Sequence, residues 1–410
     1  MRRADPEALA EPLAPALQHR FLAGFMGLGV LVGTSNGVAK VCLPLYAAAL
    51  QAQAWQIGLV GGLQFAGMLL MSLPLGAWID RHGSRPLFRI GALACAALYL
   101  LALPWVAQPW QLIACVSLLG LFNPFRMVPT QTEFLHLLPR LGPGKAGWNR
   151  AAHTAGMFFV GPMLGALLAG LLGFTPTFAV VAAGLLLSLL IGDRVLSGTP
   201  PGRGRDGARL WPLVRGQLAV VAERPDLRRT MLIEFCGQMA MAYFSVFIVL
   251  LGIRSFGMGT QQAAGLVTLQ GALFVGTLFV GGSLLRRWRE ASRYLLAFGL
   301  LLAHALLLSA PPSPHFLWFG AALLGLGLGV QHLTSVTRFG ALMNELGRGR
   351  VGGLFSLAGP AGGVAGAVLG GLVGQRFGLL AGFRLLAVVY AVQVAWQLRS
   401  MAAGPGESQA

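Results

Sequence analysis

The chain is a succession of long apolar runs broken by short polar connectors. A helix rises 1.5 Å per residue, so about 20 apolar residues cross a hydrocarbon core about 30 Å thick. Twelve runs meet that length: 21–48, 56–79, 86–105, 110–137, 149–173, 176–196, 230–253, 261–285, 292–310, 315–341, 350–374 and 379–399. The pattern predicts an all-α polytopic membrane protein with twelve transmembrane helices.

The connectors give the organisation. The longest, 197–228, is rich in Gly, Pro and Arg and separates the sixth run from the seventh, as a linker between two six-helix bundles would. The expected parts are a tail at 1–20, a first bundle at 21–196, the linker at 197–228, a second bundle at 229–400 and a tail at 401–410. Within the linker, Trp211 to Ala222 has the makings of a helix lying on the membrane surface. The halves share short repeats. Leu118-Leu119-Gly120-Leu121 returns as Leu323-Leu324-Gly325-Leu326, and the stretch Gly165 to Gly173 returns as Gly366 to Gly374, in equivalent runs and the same order.

Basic residues set the orientation, because Lys and Arg accumulate on the cytoplasmic side. Alternate connectors carry Arg81, Arg85 and Arg89, then Lys145 and Arg150, then the Arg-rich linker, then Arg286 to Arg293, then Arg348 and Arg350, whereas the others hold little beyond Arg254 and Arg376. Both termini are expected in the cytoplasm. The net charge of +17 thus belongs to membrane orientation, and nucleic acid is not an expected partner. Composition agrees: 56% of residues are hydrophobic and 10% charged, with mean hydropathy +0.70, where a soluble domain holds about 25% charged residues. Cys42, Cys95, Cys115 and Cys236 fall in apolar runs without metal-ligand spacing. Residues 1–20 have no apolar core, so no cleavable signal peptide is read there.

One connector is distinctive. Gly76-Ala77-Trp78-Ile79-Asp80-Arg81-His82-Gly83-Ser84-Arg85 sets a charged turn between the second and third runs. It resembles the Gly-x-x-x-Asp-Arg-x-Gly-Arg-Arg loop of the major facilitator superfamily, with Ser84 in place of the first closing basic residue. The resemblance implies a twelve-helix secondary transporter of an inner (plasma) membrane, expected as a monomer without cofactor or metal. It also implies a gate. Asp80 would meet the N-terminus of the eleventh helix near Gly352, where exposed amides favour an anion, and Arg81 or Arg85 would pair with Glu133. The fifth run, from Gly156 to Gly165, resembles the Gly-x-x-x-Gly-Pro-x-x-Gly-Gly signature of facilitator antiporters; a plain small-residue packing face explains it equally well. Arg126 resembles the basic residue found midway along the fourth helix of many members.

Polar residues inside the runs mark a central site, since a charge at a helix centre costs about 2.5–3.5 kcal/mol on insertion scales. Asn36 and Lys40 are one turn apart on the first helix, and Asn123, Arg126, Thr130 and Glu133 form a stripe on the fourth. The second half adds Gln238 on the seventh helix, Gln270 on the eighth and Gln331 and Thr334 on the tenth, while Gln64 sits on the second. The predicted substrate site is Asn36, Lys40, Gln64, Asn123, Arg126, Gln238, Gln270, Gln331 and Thr334. Glu234, one turn before Gln238, is the expected coupling group if protons drive transport. Nothing assembles a nucleophile, metal site or phosphate loop, so an enzyme is not expected. The leading reading is proton-coupled efflux of a drug or metabolite. The alternatives are transport of an anionic solute such as a siderophore-like metal chelate, and a transporter-shaped assembly factor or sensor.

Overall fold

The computed structural model describes residues 15–141, 148–196, 221, 223–346 and 348–402, excluding the side chains of 15–17, 72, 73, 77, 80, 136, 138–141, 343–346 and 348–356. Most of the expected linker with its surface helix, most of the tails, the Asp80 carboxylate and its expected contact near Gly352 lie outside the described residues.

Each predicted run falls on one helix, and no strand occurs among the described residues. The first half comprises α1 (Pro15–Ala49), α2 (Ala54–His82), α3 (Ser84–Ala97, prolonged by a π turn Leu98–Ala102 and a 3-10 turn Leu103–Trp105), α4 (Pro109–Phe122 and Pro124–Leu141), α5 (Trp148–Ala155, a π turn Gly156–Val160, and Gly161–Leu172) and α6 (Phe174–Val195). The second half comprises α7 (Pro225–Phe256), α8 (Thr260–Leu284), α9 (Glu290–Ser309), α10 (Pro314–Leu346), α11 (Arg348–Phe377) and α12 (Leu380–Ala402). The breaks follow proline chemistry. Pro124 lacks the N–H that would continue α4 past Asn123, and the π turn of α5 closes with Gly161 N–H on Gly156 O just ahead of Pro162.

Twelve antiparallel passes put the start of α1 and the end of α12 at one end of the bundle, here the proximal end; the α1–α2 connector marks the distal end. Large apolar side chains face outward along the shaft, Leu101, Leu171, Phe279 and Val388 among them, as lipid requires. Exposed Trp105 and Trp110 ring the distal end, and Trp148 and Trp288 the proximal end, like interfacial aromatic belts. Helix α7 is apolar on all sides and buried almost throughout from Ala240 to Gly252, which makes it a central element.

The repeated motifs make repeated contacts. A Cβ on Gly120 of α4 would strike Leu63 O of α2, and one on Gly325 of α10 would strike Gln270 O of α8. Likewise Gly156, Gly161 and Gly165 of α5 lie on the backbone and side chains of α1 between Val30 and Cys42, while Gly362 and Gly366 of α11 lie on Phe235 O and Met239 O of α7. Small residues let backbones approach this closely, and in a membrane such packing drives association. The two halves are therefore the same six-helix unit used twice.

Between the halves, the described contacts sit toward the distal end. Gly58 and Gly62 of α2 meet Ala367, Val368 and Gly371 of α11, and Phe65 covers Gly363. Ala54 N–H donates to Gln375 Oε1 at 3.0 Å, and Phe158 of α5 presses on Gly271 of α8. One apolar core runs through both halves there. Toward the proximal end, two separate clusters, around Phe25, Phe88 and Phe134 and around Leu75 and Phe125, belong wholly to the first half. Among the described residues the shared apolar core is distal and the proximal apolar clusters belong to the first half, while the start of α5 (Trp148–Ala155) also touches α8.

Candidate functional site

The first half builds a cationic cluster. Arg126 reaches from α4 toward α1 because the break at Asn123 puts both side chains on its inner face. Arg126 Nη1 donates to Ser35 Oγ at 2.9 Å, and Nη2 donates to Asn36 Oδ1 at 3.2 Å and Asn123 Oδ1 at 2.6 Å. Asn36 Nδ2 lies 3.4 Å from His153 Nε2. These acceptors are all neutral, so they orient the guanidinium without cancelling its charge; Arg126 is only 3% exposed and its Nε has no partner.

Lys40, one turn along α1, is also buried, and its Nζ has no hydrogen-bond partner among the described residues. The ammonium instead faces two rings, Phe158 at 4.7 Å and Phe65 at 5.9 Å. Cation–π contacts contribute about 0.5–2 kcal/mol, whereas an ion withdrawn from water costs several. The rings do not close that gap. Phe158 owes its place to the π turn, which swings it toward Lys40, and to Gly271, where any Cβ would collide with the ring.

The second half supplies the acid. Glu234 is buried on α7, with Oε1 3.0 Å from His332 Nδ1 of α10 and accepting from Gln238 Nε2 at 3.4 Å, while Oε2 has no partner. Gln331 Nε2 donates to Ile233 O at 2.8 Å, leaving its Oε1 unpartnered. Gln270 is fully buried with both amide atoms unpartnered. Phe274 links the two halves, its ring 6.1 Å from Phe158 and 5.9 Å from His332. The cavity at Glu234, Gln238, Gln331 and His332 measures about 10 Å³, enough for one water. A solute therefore needs the helices around it to part.

The structure thus gathers Asn36, Lys40, Asn123 and Arg126 on one side and Glu234, Gln238 and Gln331 on the other. Gln64 and Thr334 bond to their own helix backbones, at Val60 O and Val330 O. Glu133 is buried on α4. Arg81 is exposed, and Arg85 Nε donates to Leu196 O at 2.6 Å. Proximal ion pairs tie helices within each half: Arg89 with Asp193 at 2.7 Å, and Arg338 with Asp226 at 3.2 Å and Glu290 at 3.8 Å. They are solvent-exposed, and such pairs are worth about 0–1 kcal/mol. Sequence reasoning did not place Ser35, His153, Phe65, Phe158 or Phe274 at the site, nor join His332 to Glu234. Pro162 directly after Gly161 was the visible signal for a bend in α5; phenylalanines in an apolar helix carry none.

Comparison with known proteins fits this architecture. The profile of the Major Facilitator Superfamily matches residues 25–337. The multi-drug resistance efflux pump PmrA homolog of Lactococcus lactis is 28% identical over 165 residues, 39% of this chain and 40% of that protein. Multidrug resistance protein MdtG of Salmonella paratyphi C is 29% identical over 171 residues, 39% of this chain and 41% of that protein. These matches span about two fifths of the curated relatives. Among solved structures, a point mutant of the nucleoside transporter NupG superposes with TM-score 0.76 at 13% identity, covering 92% of this chain and 99% of that one. A bacterial homolog of the human lysosomal transporter Spinster, inward-facing and unoccupied, gives 0.71 at 16% identity, covering 94% of both.

Proposed function

Since the chain belongs to the major facilitator superfamily, we propose that it exports a small organic solute bearing an acidic group, in exchange for protons, by alternating access across the inner membrane. The carrying observation is where buried polarity goes unmet. Ten buried side-chain N and O atoms lack a partner among the described residues, and six of them belong to Lys40, Arg126, Glu234, Gln270 and Gln331. Each such atom forgoes about 1–3 kcal/mol unless a ligand or water meets it. Five residues chosen from sequence as solute-binding or coupling groups hold most of that deficit, from both halves.

On this reading the anionic group of the solute meets Arg126 and Lys40, the amides of Gln270, Gln331 and Gln238 take its polar remainder, and Glu234 with His332 carries the proton. Export is supported by the multidrug resistance relatives and by the small-residue signature of α5, although that signature also serves as the packing face against α1. The geometry favours an organic anion and gives no preference for a metal chelate. With the proximal end in the cytoplasm, as the basic connectors indicate, the distal seam is the outer gate on this reading.

Purified protein in proteoliposomes should drive solute uphill against an imposed proton gradient; gradient-independent binding without flux would favour the assembly-factor or sensor reading. Arg126→Lys should weaken solute binding about tenfold although charge is kept, because a planar donor becomes a point charge, and Arg126→Ala should weaken it further. Unchanged affinity in Arg126→Ala would return Arg126 to a structural role.

Orientation is checked by labelling. In a cysteine-free background, Ser313→Cys should react with an impermeant maleimide on intact cells, and Arg205→Cys only after the cells are opened. The reverse pattern would invert the topology.

A further inference from the structure

A second cavity, of about 350 Å³, opens at the distal end on the seam between the halves. That size lies in the range of small-molecule sites. Gln51 and Gln53 line it from the α1–α2 connector, Arg254 from the end of α7 and Gln375 from the end of α11, over a floor that includes Phe247 and Leu250. Gln51 is the one non-glycine residue with positive φ among the described residues, at 60°. It ends α1 in a left-handed closing turn, with Gln51 N–H donating to Ala48 O at 3.1 Å and Ala52 N–H to Ala47 O at 3.0 Å.

The electrostatics of this end are one-sided. None of the thirteen Asp and Glu residues of the chain falls in the six distal connectors or in the helix turns that enter them, whereas Arg254, Arg376 and Arg384 all do. Among the described residues Arg254 has no carboxylate partner. Its guanidinium stands at the lip of a cavity that offers amides for hydrogen bonding and rings and aliphatics for an apolar body.

We infer that this cavity is a separate binding site for a small organic carboxylate presented from the distal side. The carboxylate meets Arg254 and the glutamine amides, and the apolar part lies against Ala54 and Leu379. The site takes residues from both halves, so it exists only while the seam is closed, and its ligand holds the seam closed. Binding itself does not depend on the central site; only its effect on flux rests on the alternating-access reading.

The probe is benzoate, with benzamide as its uncharged counterpart, and the readout is thermal stability of the purified protein in phosphatidylcholine nanodiscs. Benzoate should raise the melting temperature of wild type in a saturable way and benzamide should not. Arg254→Gln should weaken the benzoate effect about tenfold, while Arg126→Ala, measured against its own unliganded baseline, should retain it. In vesicles, benzoate on the distal side alone should slow flux in wild type. Equal stabilisation by benzamide, or an undiminished benzoate effect in Arg254→Gln, would overturn the inference. Loss of the effect in Arg126→Ala but not Arg254→Gln would place benzoate in the central cavity and likewise overturn it. Stabilisation through Arg254 by phosphatidylglycerol discs, with none from benzoate in phosphatidylcholine, would assign the cavity to a lipid headgroup instead.

Discussion

Glu234→Gln is expected to abolish uphill accumulation in proteoliposomes, the accumulation ratio falling to unity, while solute still exchanges down its own gradient. Glu234 is the one carboxylate set among the central polar groups of the second half, with His332 3.0 Å away and Gln238 against the same oxygen. Its second oxygen has no hydrogen-bond partner among the described residues. Glutamine keeps the shape and the polar contacts but neither gains nor loses a proton, so solute movement continues and its tie to the gradient is cut. Linkage makes the tie reciprocal: if a proton at this pair weakens solute binding, solute weakens proton binding by the same factor. Binding titrations across pH should therefore show proton release or uptake in wild type and none in Glu234→Gln. A Gln variant that still concentrates solute with the pH dependence of wild type would remove Glu234 from coupling and turn attention to His332 or to another ion.

Gly161→Val is expected to destabilise the protein strongly. A Cβ at Gly161 would lie 2.5 Å from Gly37 Cα and 2.7 Å from Thr34 O, and both are backbone, which no rotamer change can clear. Ordinary overpacking costs about 1–3 kcal/mol. With α1 and α5 in direct backbone contact, the upper figure or more is expected, equivalent to about 3–4 °C in melting temperature for a chain of this length. Gly170, on the same helix, has nothing within 4 Å of the corresponding position, so Gly170→Ala should melt like wild type. Thermal unfolding in detergent compares the two directly. Equal behaviour of the pair would show that α1 and α5 pack more loosely than described.

The twelve helices were legible because lipid imposes length and apolarity on each span, and both are written locally in the sequence. The pairing of halves was legible for a similar reason: the repeated glycines at Gly120 and Gly325, and at Gly165 and Gly366, are short patterns that make short-range contacts. The polar members of the site could also be picked out, since a buried Arg126, Lys40 or Glu234 is conspicuous in an apolar run. The partners were not. That His332 meets Glu234, and that Ser35 joins Asn36 in holding Arg126, depends on helix rotation and on residues 98 and 91 positions apart. The aromatic rings beside Lys40 were hidden for another reason, because Phe65 and Phe158 look like any other lipid-facing or core residue until the π turn and Gly271 fix where they point.

The distal seam of α2 on α11 has a consequence for leakage. Gly58 and Gly371 meet with almost no side chain between the two backbones. Dispersion attraction weakens by a quarter to a half over a gap of only 0.5–1 Å, so a slightly parted seam already loses a quarter to a half of its cohesion while the gap is still too narrow to admit water. Such a seam holds together or comes fully apart and gives ions no partly open crack to slip through in mid-cycle. If the proposed proton exchange holds, such a seam protects the gradient from being dissipated between solute molecules.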